Sequence, residues 1–178
     1  IGGVYQGASS LYDAKHFLAP GEIVTSNGID FHVKHLGTSG PTVVFDAGMG
    51  DSSLVWAEVA DRASLFANVF VYDRAGLGWS EDSELARTSS NMVDELHQLL
   101  IDAKVEGPYI LVGQSFGGAN MQLFAKRYPE LVAGLVLVDS VHEEQLERLP
   151  SRNGFRQSIL RLGMMAAPFG VPRMYLSL

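Results

Sequence analysis

The stretch that most constrains this chain is Tyr109-Ile110-Leu111-Val112-Gly113-Gln114-Ser115-Phe116-Gly117-Gly118-Ala119-Asn120. Ile110, Leu111 and Val112 form the short continuous apolar run of a parallel strand buried on both faces. Gly113 to Gly117 then match G-x-S-x-G, and a helix is expected over Ala119–Tyr128, stopped by Pro129. Such a strand–turn–helix is tight enough to force the serine into a strained backbone conformation. A side chain two residues before or after it would strike the neighbouring strand or helix, so glycine is required there. The Ser115 hydroxyl is then expected to project from the C-terminal edge of the sheet. It stands at a helix N-terminus, where free N–H groups and the helix dipole favour a developing negative charge.

Composition narrows the alternatives. The 178 residues suffice for one domain with a core, and 47% hydrophobic with 19% charged residues describe a folded globular chain. A net charge of -7 with no basic run argues against nucleic acid as a partner. Without cysteine there is no disulfide, thiolate nucleophile or zinc–thiolate site. No apolar run approaches the roughly 20 residues of a membrane span. The sequence starts at Ile1, so a segment upstream is expected, which leaves export or membrane anchoring open.

In chain order, residues 1–20 read as irregular, with a helical turn over Tyr12–Phe17. Two strands, Glu22–Thr25 and Asp30–Leu36, flank the hairpin signal Ser26-Asn27-Gly28. His32 and His35 lie three apart on a strand, on opposite faces, and read as exposed or edge-strand residues without a shared metal. Thr42–Phe45 is a buried strand running into the glycine-rich Asp46-Ala47-Gly48-Met49-Gly50. Without a following Gly-Lys-Ser/Thr this is not a phosphate loop. Ser52 or Ser53 caps a helix whose apolar face is expected to be Val55, Trp56, Val59, Ala60, Ala63 and Phe66. The strand Asn68–Tyr72 leads into Asp73-Arg74-Ala75-Gly76-Leu77-Gly78-Trp79-Ser80. Glu81 replaces the third glycine of a dinucleotide fingerprint, so this reads as a close-packed loop that Arg74 can hold through carbonyl groups. A helix over Thr88–Val105, capped by Ser89 or Ser90, carries a Met92, Val93, Leu96, Leu99, Leu100 and Ala103 stripe. After the serine turn, Val132–Val138 reads as another buried strand, with Asp139 at its C-terminal end. From Ser140 onward charged and apolar helical segments broken by Pro168 and Pro172 read as the start of a lid.

Four features in this order resemble the α/β-hydrolase fold, in its lidded, serine-esterase-like branch. They are Ala47-Gly48-Met49-Gly50, Tyr72 to Ser80, the G-x-S-x-G elbow, and Val136-Leu137-Val138-Asp139-Ser140-Val141-His142. The resemblance implies an α/β architecture, a mostly parallel sheet flanked by helices, with residues 1–139 as the N-terminal part of the core. Residues 140–178 become the start of a helical lid. It implies Ser115 as nucleophile and the backbone N–H groups of Met49 and Phe116 as the oxyanion hole. Asp139 is one position for the acid, the other being after a later strand. His142 follows too closely on Asp139 to be read as the base. Gln114 and Ala47 stand where histidines are common in the family, and neither position belongs to the triad.

The family order is Ser, then Asp/Glu, then His, so the histidine is expected outside these residues. A C-terminal remainder of the same protein, supplying further strands, would carry it. The implied activity is cleavage of an ester or related acyl bond of a small hydrophobic substrate, with no cofactor and no metal. Carbon–carbon hydrolases and perhydrolases use the same serine. A ligand sensor that keeps the pocket, or an inactive scaffold fragment, is the alternative of a different class.

Overall fold

The structure, a computed structural model, describes residues 2–141. Residues 19–141 belong to one compact unit. Residues 1–18 fall outside it, and there Gly2–His16 form a 15-residue helix, α1, rather than the irregular segment expected. Its last turn carries a stacked Tyr12–His16 pair, one helical turn apart, with ring centroids 3.7 Å apart. The expected lid lies outside the described residues except for Ser140 and Val141, as does His142. No described helix is long and apolar enough to cross a membrane.

The compact unit is built on six strands: β1 (Glu22–Ser26), β2 (Ile29–Leu36), β3 (Thr42–Asp46), β4 (Asn68–Tyr72), β5 (Tyr109–Gln114) and β6 (Val132–Val138). Their spatial order is β1-β2-β4-β3-β5-β6. β4, β3, β5 and β6 run parallel, while β2 is antiparallel to both β1 and β4. The β1–β2 hairpin turns on Asn27 and Gly28, at φ 49° and 78°. Those are the positive dihedrals of a turn whose twist matches the strands.

Alternation along the central strands feeds two cores. Val44, Phe70, Tyr72 and Leu111 point to one face, against α3 (Ser89–Asp102) and α4 (Phe116–Arg127). Val93, Leu96, Leu99, Leu100, Met121 and Phe124 fill that layer. Val43, Phe45, Val69, Val71 and Val112 point to the other face, covered by Trp56 and Ala60. These come from a 3₁₀ turn, Ser53–Trp56, and from α2 (Ala57–Ala63). The stripe on α3 is as expected, but its N-cap is Thr88, whose hydroxyl accepts from the Asn91 N–H at 3.3 Å.

Two burial expectations are overturned. Of the apolar residues assigned to the α2 face, Val55, Val59 and Phe66 are exposed. The helix is only seven residues long and preceded by a 3₁₀ turn, so the longer 3.6-residue stripe does not continue along it. Among the described strands β6 lies at the edge of the sheet, and Leu135 to Val138 keep 38–46% of their surface exposed. A run of Val and Leu identifies a strand that can be buried on both faces, but a neighbour on each side is needed to bury it.

Phe124 is fully buried in the α3–α4 layer, edge-on to Tyr109 and tilted against Tyr128. Phe124→Ala should therefore lower unfolding free energy by about 3–5 kcal/mol in a urea titration.

Candidate active site

β5 ends at Gln114 and α4 begins at Phe116, so a single residue makes the turn. That residue, Ser115, has φ 52° and ψ −117°, a conformation costly for any residue with a side chain. Neighbouring backbone holds it there. Its N–H donates to Val138 O at 3.0 Å, and its carbonyl accepts from Gly118 N–H and Val141 N–H at 3.1 Å each. The two flanking glycines are steric requirements. A Cβ on Gly113 would lie 2.5 Å from the Gly118 Cα, and one on Gly117 would strike the carbonyls of Asp46 and Ala47. Among the described residues no side chain hydrogen-bonds the Ser115 hydroxyl.

Close contact between α4 and the end of β3 brings the Gly48–Asp51 turn beside the serine. Phe116 is the first residue of α4, so its N–H has no intrahelical acceptor. Met49 sits inside a turn closed by Asp51 N–H to Gly48 O at 3.2 Å, with its side chain exposed. The two positions expected to supply oxyanion donors thus lie in the turn after β3 and at the start of α4. Asp139 follows β6 with a left-handed φ of 46° and an exposed carboxylate. The described histidines stand elsewhere. His35 pairs with Glu22 at 3.4 Å, and His97 stacks on Tyr128.

Arg74 plays a larger part than the sequence suggested. It does not brace its own loop but crosses to the β3 turn. Nη1 donates to Asp46 Oδ1 and, at 2.6 Å, to Ala47 O, while Nη2 donates to Gly48 O. Its guanidinium also lies 5.8 Å from the centre of the Phe116 ring. Asn120, from α4, holds the second Asp46 oxygen at 3.0 Å. Burial pushes the Asp46 carboxyl up, opposed by the charge of Arg74 and the Asn120 amide. Burial also works against the Arg74 charge, but Asp46, Tyr72 and Asp51 together outweigh it and raise the guanidinium pKa. An aspartate ending β3 and an arginine two residues after β4 was the available sequence signal, though only adjacency of these two strands makes it legible.

The second buried polar group corrects the reading of His32 as exposed. His32 has no accessible surface, and its Nδ1 is 2.8 Å from Asp73 Oδ2. Asp73 also accepts from Ser53 N–H at 2.6 Å and Trp79 N–H at 3.1 Å. It therefore ties the β1–β2 hairpin to the 3₁₀ turn behind Met49. β2 lies inside the sheet, between β1 and β4, which is why this histidine is covered. A cleft lined by His35, Thr42, Asn68 and Glu106 opens where β3 and β4 begin, at the opposite end of the strands from Ser115. Among the described residues no three side chains form a metal-ligating cluster.

Burial alone would raise the Asp73 carboxyl, but the hydrogen bonds from His32, Ser53 and Trp79 hold it below its ordinary value. A carboxyl with a folded pKa below its unfolded value of about 3.9 adds stability above that pH. The contribution is lost as pH falls through the folded value. Asp73→Asn should be less stable than the parent by about 2 kcal/mol at pH 7. In urea titrations repeated at decreasing pH, that difference should shrink below about pH 4.

Comparison with known proteins agrees with this architecture. The sequence model of the alpha/beta hydrolase fold family matches residues 41–168. An uncharacterized protein of Bacillus subtilis is 40% identical over 116 residues, 65% of this chain and 46% of the relative. The 2-(acetamidomethylene)succinate hydrolase of Mesorhizobium japonicum is 31% identical over 127 residues, 70% of this chain and 45% of that enzyme. Among solved structures, the N-formylmaleamic acid deformylase of Pseudomonas putida superimposes with a TM-score of 0.60 at 28% identity. That match covers 67% of this chain and 46% of the deformylase. The chain spans less than half the length of each of these relatives. A match over residues 41–168, on a sheet of this strand order, places the chain in the alpha/beta hydrolase fold family.

Proposed function

We propose that the protein is a serine hydrolase that cleaves an ester or related acyl bond of a hydrophobic substrate. The observation that carries this reading is the backbone of Ser115, held at φ 52° at the N-terminus of a 12-residue helix. Strain of this kind persists only where the surroundings enforce it, and it is a recurrent mark of functional sites. In the proposed cycle the Ser115 hydroxyl attacks the carbonyl carbon and passes its proton to a histidine base. The carbonyl oxygen, now negative, is held by the N–H groups of Met49 and Phe116. Each such donor is worth about 2.7–4 kcal/mol to a transition state of this type. The leaving group departs with the proton, and water releases the acyl group from Ser115 by the reverse sequence.

The base in this scheme comes from a C-terminal remainder of the protein, docked along the open edge of β6. Exposed Leu135 to Val138 support that docking. Asp139 is one candidate for the acid, since it lies one residue past the strand whose Val138 carbonyl holds the serine. The relatives named as a deformylase and as a succinate-derivative hydrolase leave the scissile bond open between esters and other acyl derivatives. Met49, exposed beside the serine, and the apolar segments after Ser140 favour a hydrophobic acyl or alcohol group.

In the full-length protein, a fluorophosphonate probe should add to Ser115, as located by peptide mass spectrometry. Ser115→Ala should abolish labelling and reduce turnover of short-chain 4-nitrophenyl esters by at least about a thousandfold. Retained turnover in the Ser115→Ala protein would refute the proposal.

A further inference from the structure

We infer that Gln114 and Asp51 form an acceptor pair beside the oxyanion turn that selects acyl groups carrying a hydroxyl or N–H donor next to the scissile carbonyl. This rests on the serine-hydrolase reading above and assigns a substrate feature to the same site.

Gln114 is the last residue of β5 and directly precedes Ser115. Its side-chain oxygen is buried and has no hydrogen-bond partner. Buried amide oxygens are satisfied in the great majority of folded proteins, so an orphan one calls for an explanation. Its place supplies one. A Cβ built on Gly48 would lie 2.5 Å from Gln114 Oε1 and 2.7 Å from Asp51 Oδ2. An amide oxygen and a carboxylate oxygen therefore converge over one glycine, and the amide oxygen accepts no hydrogen bond. Two acceptors facing each other repel, and a donor seated just above that glycine would hydrogen-bond to both. Gly48 immediately precedes Met49, so the donor would sit beside the carbonyl oxygen held by the Met49 N–H.

Asp51 lies on the solvent side of this point. Its residue is exposed, on a turn whose own closing bond is a long 3.2 Å, while Gln114 is half-buried behind it. The Asp51 carboxylate forms the solvent side of the pair and the buried Gln114 oxygen its inner side. The same carboxylate adds negative charge at the site mouth, which works against acyl groups that end in a carboxylate. A neutral donor-bearing acyl group meets neither penalty. Glycine at position 48 is a steric requirement of this arrangement, since any side chain there would strike both oxygens.

The competing arrangement is purely structural. The Gln114 amide could turn over so that its nitrogen donates to Asp51, leaving no acceptor pair and no preference. Matched substrates separate the two. 4-Nitrophenyl glycolate and 4-nitrophenyl propionate differ by a hydroxyl in place of a methyl of similar size. On the full-length protein, kcat/KM should favour glycolate by about tenfold or more, after correction for the two esters' intrinsic hydrolysis rates. Gln114→Met, which keeps bulk and removes the acceptor, should cut the glycolate-to-propionate ratio by about tenfold, whatever it does to either rate. Gln114→Glu, which keeps an acceptor, should retain the preference, and Asp51→Ala should weaken it. A parent protein that labels at Ser115 yet shows no glycolate preference overturns this inference alone. So does a Gln114→Met protein whose ratio is unchanged. A Ser115 that takes up no fluorophosphonate and turns over neither ester overturns the serine-hydrolase reading, and the acceptor pair with it.

Discussion

The site depends on one buried guanidinium. Arg74 leaves the end of β4, crosses to the end of β3, and bonds the Asp46 carboxylate and the Ala47 and Gly48 carbonyls together. Those carbonyls belong to the turn that carries Met49. A turn rich in glycine has little conformational preference of its own, so its shape is imposed by the group that binds its oxygens. Arginine suits this because its planar fork presents several donors in fixed directions, which an ammonium group cannot do. The charge survives burial because Asp46 answers it, and Asp46 is held in turn by Asn120 from α4. The Phe116 ring beside the guanidinium links the same group to the first residue after the serine. Three separate stretches of chain, ending β3, ending β4 and opening α4, are thereby fixed relative to one another.

Behind this lies a second polar anchor of a different kind. The Asp73 carboxylate gathers a ring N–H from β2 and backbone N–H groups from Ser53 and Trp79. It acts as a local substitute for secondary structure, since each of those donors sits where no strand or helix could satisfy it. Together the two carboxylates position the C-terminal ends of β3 and β4, the edge where open α/β sheets gather their functional groups. The serine itself is strained, and the strain is balanced by the packing of β5, α4 and β6 around it. Val138 and Val141 hold its backbone from the far side, so β6 serves the site although half of its surface is open.

The open edge has its own consequence. A parallel strand with exposed Leu and Val and one unpaired side invites another strand. Among the described residues no side chain hydrogen-bonds the Ser115 hydroxyl, and the neighbouring strand β6 keeps Leu135 to Val138 exposed.

Much of this was legible in the sequence because it is local. Strand periodicity placed β3 to β6 within a residue or so, the Asn27-Gly28 pair gave the hairpin, and the α3 stripe gave that helix. Glycine spacing located the turn at Ser115, since steric exclusion around a one-residue turn leaves few other options. Other features escaped because they depend on which elements become neighbours. His32 looks like an edge-strand residue until β4 and Asp73 cover it. Arg74 looks like a brace for its own loop until β3 lies beside β4. Val55, Val59 and Phe66 look like core until α2 stops after two turns, and β6 looks buried until its outer side is found unpaired. The sequence alone determined the α/β class, the strained turn and its serine, because backbone sterics and side-chain periodicity act over a few residues. Only the tertiary structure decided the Arg74 clamp, the burial of His32 and the approach of the Gln114 and Asp51 oxygens over Gly48. Those rest on contacts across strands, whose partners no local pattern encodes.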